Sequence, residues 1–265
     1  MICTLGDLLL DVIVRLEGPI AEDTDTYGRT RVSAGGQAAN VAAWVVALGA
    51  SARFIGKRAR DAAGTLVADE LARRGVELAG PEVEVGTGTV VSIATPDGKR
   101  TMLSDRGVSV DFEPAELHDA WLDGCDWLHV PVYSLARPPL RDTALRAISA
   151  VRQVSLDLSA TVALEQAGIK LVREMIAEHR PAVVFGNEEE VALLDPGADT
   201  VVVKRGARGV VVRTRGETRE HPAREAEAVD TTGAGDAFAA GFLLGGVGLG
   251  VEAAARCVGQ LGAMP

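Results

Sequence analysis

Aromatic residues make up only 4% of this 265-residue chain, and its three cysteines stand far apart at Cys3, Cys125 and Cys257. With few rings to pack, the interior falls to Ala, Val, Leu and Gly, which suits helices laid closely on a sheet of branched aliphatic strands. No Cys-x-x-Cys pair occurs, and His118, His129, His179 and His221 are isolated, so neither a zinc site nor a disulfide framework is expected. All three thiols read as reduced packing residues of a cytoplasmic protein. Also lacking is any run of about 18 uncharged apolar residues, so no membrane-spanning helix is expected. The opening stretch Met1–Val14 is apolar but has no basic leader and carries Asp7 and Asp11, so it reads as a buried first strand and not as a signal peptide. Positive charge is in deficit, with 27 Lys and Arg against 37 Asp and Glu for a net −10. That balance excludes nucleic acid or an anionic membrane as the main partner and leaves a small molecule.

What is present is 47% apolar and 24% charged residues, enough for one well-cored domain over residues 1–265. Short β-branched runs (Ile2–Leu5, Trp127–Val130, Val154–Leu158, Ala182–Phe185, Val201–Lys204, Val210–Val212) alternate with helix-patterned stretches. The helical stretches are Gly36–Leu48, Asp61–Arg74, Pro114–Leu122, Pro139–Val151, Gly168–His179 and Gly233–Leu244. This alternation predicts an α/β fold with a central, mostly parallel sheet covered by helices on both faces. Two segments, at about 12–34 and 87–107, break the alternation and read as strand pairs inserted as a small β lid over the carboxyl ends of the sheet. The second is predicted to turn at Pro96-Asp97-Gly98.

The segment with most chemistry is Asp230-Thr-Thr-Gly-Ala-Gly-Asp236, a glycine turn that opens directly into an apolar helix. Gly233 and Gly235 permit close backbone approach. The amides of Gly233, Ala234, Gly235 and Asp236 are then unpaired donors at a helix start, a ready anion site. Asp236 stands where it can take a proton from an attacking hydroxyl, and a carboxylate beside an anion hole is a minimal apparatus for phosphoryl transfer. The same pattern also describes an ordinary loop-to-helix junction. A second turn, Ser33-Ala-Gly-Gly-Gln-Ala-Ala-Asn40, offers the Gly35 and Gly36 amides and the Asn40 side chain to a polyol, or is a tight turn before an Ala-rich helix.

Together the two segments resemble the signature regions of the ribokinase or PfkB family of carbohydrate kinases, a resemblance that extends over nearly the whole chain. It implies a Rossmann-like (ribokinase-like) core with a β lid, use of ATP and Mg2+, and transfer of the γ-phosphoryl group to a hydroxyl of a monosaccharide or sugar acid. Asp236 matches the family's catalytic base, and Gly233, Ala234 and Gly235 its anion hole. Asp11, Gly35, Gly36 and Asn40 match substrate-binding positions, with Gln37 where many members have Asn. Asn187 and Glu190 match the Asn-x-x-Glu element of the Mg2+ environment, a spacing that equally describes a helix capping box. Lys204, Gly206 and Gly209 match the strand and turn beside the nucleotide, although a strand-end lysine is also an ordinary solvated residue. Asp230 and Thr232 match positions that in relatives help bind a monovalent cation such as K+. Arg100 and Arg106 of the second lid segment are candidates to reach an anionic substrate, or are solvated.

Relatives on this scaffold include nucleoside kinases, and a non-catalytic nucleotide or sugar sensor is a third reading. Only Tyr27 is aromatic in the lid segments, which favours a sugar over a nucleobase. The resemblance also implies a homodimer through the lid. Between Phe242 and Pro265 the chain is short for the helix pair that the family implies, so one of the two is expected to be shortened or missing.

Overall fold

The strands Ile2–Leu5, Trp127–Pro131, Val154–Asp157 and Val183–Asn187 are buried along almost their whole length. Strands buried on both faces need cover on both faces, which is the setting for parallel pairing joined by helices. In this computed structural model, which describes residues 1–97 and 100–265, they form the middle of a nine-stranded sheet. Its order is Glu217–His221, Val210–Thr214, Thr200–Lys204, Val183–Asn187, Val154–Asp157, Trp127–Pro131, Ile2–Leu5, Ala52–Ile55 and Glu77–Ala79. Neighbours pair in parallel except where Val210–Thr214 meets its two partners.

Helices Gln37–Ala47, Ala62–Arg73 and Ala234–Val258 pack on one face, and Leu140–Ala150, Thr161–Ala167, Ile169–His179 and Glu188–Leu194 on the other. Local signals set several of their ends. Asp61 caps its helix by accepting the Gly64 amide at 2.8 Å. Gln37–Ala47 is buried all round from Ala38 to Val45, which only small and aliphatic side chains permit, because the equally lean helix Ala234–Val258 packs against it.

One expectation changes and two are refined. The stretch 114–122 is not an α-helix but two 3-10 turns, Pro114–Glu116 and Asp119–Leu122, with Leu117 and His118 extended between them. Arg146 accounts for the break, since its guanidinium takes the carbonyls of Pro114 and Leu117 that a continuous helix would use. Secondly, Ala234–Val258 is long and apolar enough to cross a membrane by length and composition. It is interrupted by non-helical backbone at Gly245 and Gly246, and Ala237–Gly241 are buried in the core. Thirdly, the segment beyond that interruption supplies the second helix that the length after Phe242 put in doubt.

A separate four-stranded sheet has the order Gly28–Gly35, Leu9–Leu16, Thr87–Ala94, Arg100–Gly107. The turn expected at Pro96-Asp97-Gly98 includes Gly98, which lies outside the described residues. Side chains alternate between the two faces of this sheet. One cross-strand row is Ser33, Asp11, Val90 and Ser104, and the next, on the opposite face, is Val32, Val12, Val91 and Leu103.

In the main sheet the chain leaves Ile2–Leu5 towards Ala52–Ile55 on one side, while Trp127–Pro131 lies on the other. The strand order reverses there, so a crevice opens at the carboxyl ends of these strands, the usual ligand position in an open α/β sheet.

Candidate active site

Gly233 initiates helix Ala234–Val258 with φ 78°, a left-handed backbone that glycine adopts without strain. A Cβ there would meet the backbone of Ala263 at 2.6 Å, so the turn also lies tightly on the C-terminal tail. No side chain caps this helix start, and among the described residues the Gly235 and Asp236 amides have no backbone acceptor. These are the donors an anion would find. Asp236, buried in the first turn, accepts a 2.8 Å hydrogen bond from Asn40 Nδ2. Burial pushes its carboxyl up to about 7, against the pull of the Asn40 bond and with help from the Asp157 charge.

Lys204 stands at the end of its strand and reaches the same turn, since a Cβ on Gly235 would lie 3.1 Å from its Nζ. The ammonium also forms an ion pair at 2.7 Å with Asp157, whose side chain is 1% exposed. Burial works to lower the lysine's pKa, but Asp157 outweighs it and the net shift is upward, so the cation is retained. A fixed positive charge therefore faces the unpaired amides.

A second group of polar side chains gathers around Asp7 and Asp11. The Asp11 carboxylate packs directly on the Cα of Gly35, where any side chain would collide with it. Burial, reinforced by the charge of Asp7 and opposed by Arg106, pushes Asp11 up to about 7. Asp7 follows the first strand, and Gly36 packs so closely on its carbonyl that φ 102° and the lack of a Cβ are both required. Arg106 pairs with Asp7 and lays its guanidinium 3.6 Å from the ring centre of Tyr133. Asp7 Oδ1 and Asn40 Oδ1 are buried without a hydrogen-bond partner among the described residues. An unsatisfied buried acceptor is costly, and two of them near the Asp236 carboxylate define a place for a donor-rich ligand.

The remaining candidates divide. Asn187 and Glu190 form a complete capping box: Glu190 N donates to Asn187 Oδ1 at 2.9 Å, while Asn187 N and Nδ2 donate to the two Glu190 oxygens at 2.8 and 2.7 Å. Glu190 is buried, which raises its pKa, and the Asp157 charge adds to the effect. Gly206 and Gly209, with φ 59° and 85°, form the turn between Thr200–Lys204 and Val210–Thr214. Asp230 organises the loop before the glycine turn: it accepts from Thr232 N and Oγ1 at 2.9 and 2.7 Å and from Gly262 N at 3.2 Å. Arg100 reaches from the four-stranded sheet to Thr232 Oγ1 and lies 3.8 Å from Asp230.

The structure thus brings Asp236, Gly233, Ala234, Gly235, Lys204 and Asn40 together and sets Asp11, Gly35 and Gly36 beside one another next to Asp7. Asp7, Asp157 and Tyr133 are new members of the site. Val154-Ser-Leu-Asp157 had a usable signal, a carboxylate ending an otherwise apolar strand at the functional edge of a parallel sheet. Tyr133 had none, because its role comes from Arg106, 27 positions away.

A comparison with protein families matches residues 1–264 to the pfkB family carbohydrate kinases. An ATP-dependent ribose-1-phosphate kinase of Halopiger xanaduensis is 32% identical over 257 residues, which cover 91% of this chain and 83% of that protein. A fructokinase of Klebsiella pneumoniae is 32% identical over 271 residues, covering 92% and 83%. Among solved structures, an adenosine kinase from Sinorhizobium meliloti superposes with a TM-score of 0.88 at 25% identity, over 100% of this chain and 95% of that one.

Proposed function

This chain belongs to the pfkB family of carbohydrate kinases, and from that premise we propose that Asp236 is the base through which it phosphorylates a neutral monosaccharide. As a member it is an ATP-dependent phosphotransferase with an alcohol acceptor. The observation that carries the finer reading is the pair of buried acceptors without a partner among the described residues, Asp7 Oδ1 and Asn40 Oδ1, near the base, with the Asp11 carboxylate beside Asp7. Sugar hydroxyls are donors that complement them. An anionic group on the acceptor would face Asp7, Asp11 and Asp236, where the nearby cations Arg106 and Lys204 are already paired with Asp7 and Asp157. Fructokinase-like use of an unphosphorylated sugar is therefore favoured over ribose-1-phosphate, and the aromatic-poor acceptor side disfavours a nucleoside.

In the proposed reaction the acceptor hydroxyl sits between Asp11 and Asp236. Asp236 takes its proton as the oxygen attacks the γ-phosphorus. The Gly235 and Asp236 amides and the Lys204 ammonium stabilise charge on the transferring group, while Gly206 and Gly209 shape the strand turn beside the nucleotide. The four-stranded sheet acts as a lid, held to the core by Arg106 with Asp7 and Arg100 with Thr232, and its closure excludes water.

Magnesium would neutralise the phosphates. Among the described residues no three His, Cys, Asp or Glu side chains stand together as a metal cage. Both Glu190 oxygens accept from Asn187 but retain further lone pairs. The residues therefore fit a hydrated ion carried by the nucleotide, with Asn187 and Glu190 meeting its waters. Asp230 and Thr232 do not fit a potassium site in this arrangement, because the Arg100 guanidinium already lies beside them.

ADP release measured over free sugars, sugar phosphates, sugar acids and nucleosides tests the acceptor, with the highest kcat/KM expected for a free sugar. Asp236→Asn is expected to lower kcat about 10²–10⁴-fold. Near-parental turnover in that variant would remove Asp236 from the mechanism. The lid's outer row Val12, Val32, Val91 and Leu103 has Val32 and Leu103 exposed, which supports dimerisation through this face. Light scattering should give twice the chain mass, and the single-chain mass after Leu103→Asp.

A further inference from the structure

Helix Ala62–Arg73 is absent from the candidate site, yet two strands of the lid are tied to it by their backbone amides. At its start the cap residue Asp61 accepts from Gly86 N at 2.9 Å and from Thr87 N at 3.0 Å, which fixes the entry to strand Thr87–Ala94. Near its end Glu70 accepts from Ala34 N at 3.0 Å, on strand Gly28–Gly35. That strand is an edge of its sheet, and an outward edge amide has no strand to donate to, so the helix supplies the acceptor. Between the two tied strands lies Leu9–Leu16, which carries Asp11. The helix is thus a post to which both neighbours of the Asp11 strand are fixed.

We propose that Glu70 is a positioning residue for the Asp11 carboxylate, acting through the backbone of Ala34 and Gly35. The inference rests on the reading of Asp11 as a group that binds the acceptor. Ala34 immediately precedes Gly35, whose Cα lies against the Asp11 carboxylate, and Gly36 follows with its Cα against the Asp7 carbonyl. A shift of Ala34 relative to the helix is therefore passed to the surface on which Asp11 rests. Glu70 is itself held, because Arg74, one helical turn on, donates from Nη2 to Glu70 Oε1 at 2.8 Å while Oε2 takes the Ala34 amide. With one oxygen on a guanidinium and the other on the backbone, the carboxylate is fixed in orientation. Burial works to raise the Glu70 pKa, but the Ala34 amide and Arg74 outweigh it and the net shift is downward, so the acceptor stays charged. Helix Gln37–Ala47, which carries Asn40 to Asp236, is buried from Ala38 to Val45 and is held by that packing, so the base does not depend on Glu70.

Steady-state kinetics of the full chain test this, with the free sugar of highest kcat/KM as acceptor. Glu70→Ala should raise the acceptor KM about tenfold, the scale of one lost charged hydrogen bond, and leave the ATP KM within about twofold. Glu70→Asp keeps the charge but is one methylene short of Ala34 N, so it should do the same and carries the test if the alanine variant does not fold. Glu70→Gln keeps an oxygen for Ala34 N and should return the acceptor KM to within about threefold of parental, the scale of a charged bond made neutral. Asp11→Asn is measured beside them. A parental acceptor KM in that variant removes the acceptor reading and this inference with it. A raised KM there, with an unchanged KM in Glu70→Ala and Glu70→Asp, overturns this inference alone. Acceptor and ATP KM that rise together, with no recovery in Glu70→Gln, would mean a merely loosened lid and overturn it as well.

Discussion

Replacing Lys204 by Met separates what its ammonium does for the fold from what it does for phosphoryl transfer. Asp157, 1% exposed, would keep one hydrogen bond from Ser159 N at 3.0 Å and lose its ion pair. Removing one partner of a buried pair typically costs about 3–5 kcal/mol. Lys204 is itself 18% exposed, so water can reach part of the gap, and the lower figure, about 3 kcal/mol, is expected. The double variant Lys204→Met with Asp157→Leu removes both charges and should recover most of that loss, because apolar replacement of a buried pair is often neutral. Turnover should not recover with it: losing a fixed donor to transition-state charge typically costs about 10²–10³-fold in kcat. Urea unfolding gives the stability, and coupled ADP release gives the rate. Parental stability in the single variant would refute the burial argument. A double variant within about threefold of parental kcat would refute the role beside Gly235.

Both Asp236 and Asp11 are pushed up to about 7 by burial, so kcat/KM should rise with pH through about 7 as the base ionises. Stability should move the other way. From about pH 4 to 7 the unfolded carboxyls are ionised while the folded ones hold their protons, so stability falls as pH rises through that window and thermal melts across it should show the decline. Gly35→Ala places a methyl against the Asp11 carboxylate and should raise the acceptor KM about 10–100-fold, the loss expected for a charged hydrogen bond, with a smaller change in kcat. An unchanged KM would remove Asp11 from the acceptor site.

Much of this architecture is legible along the chain because the parallel core repeats one local pattern. Apolar strands such as Val201–Lys204 and capped helices such as the one after Asp61 announce themselves within a few residues. The glycine turn at Gly233 is equally local, since its left-handed backbone and the following apolar helix are adjacent. What is not legible depends on tertiary partners. Pro114–Leu122 has helical spacing, yet Arg146 from another helix takes its carbonyls. Lys204 is an ordinary strand-end lysine until Asp157 arrives 47 positions away to hold it. Asn187 and Glu190 remain the instructive middle case, for the spacing that suggests an ion environment also builds a helix cap.

The hydrogen bond from Asn40 to Asp236 spans 196 positions and joins the helix that follows the first sheet strand to the last helix of the domain. Contacts so distant along the chain form late, after local elements have condensed. On the proposed role of Asp236, the base is thus held in place only once these two helices have packed together.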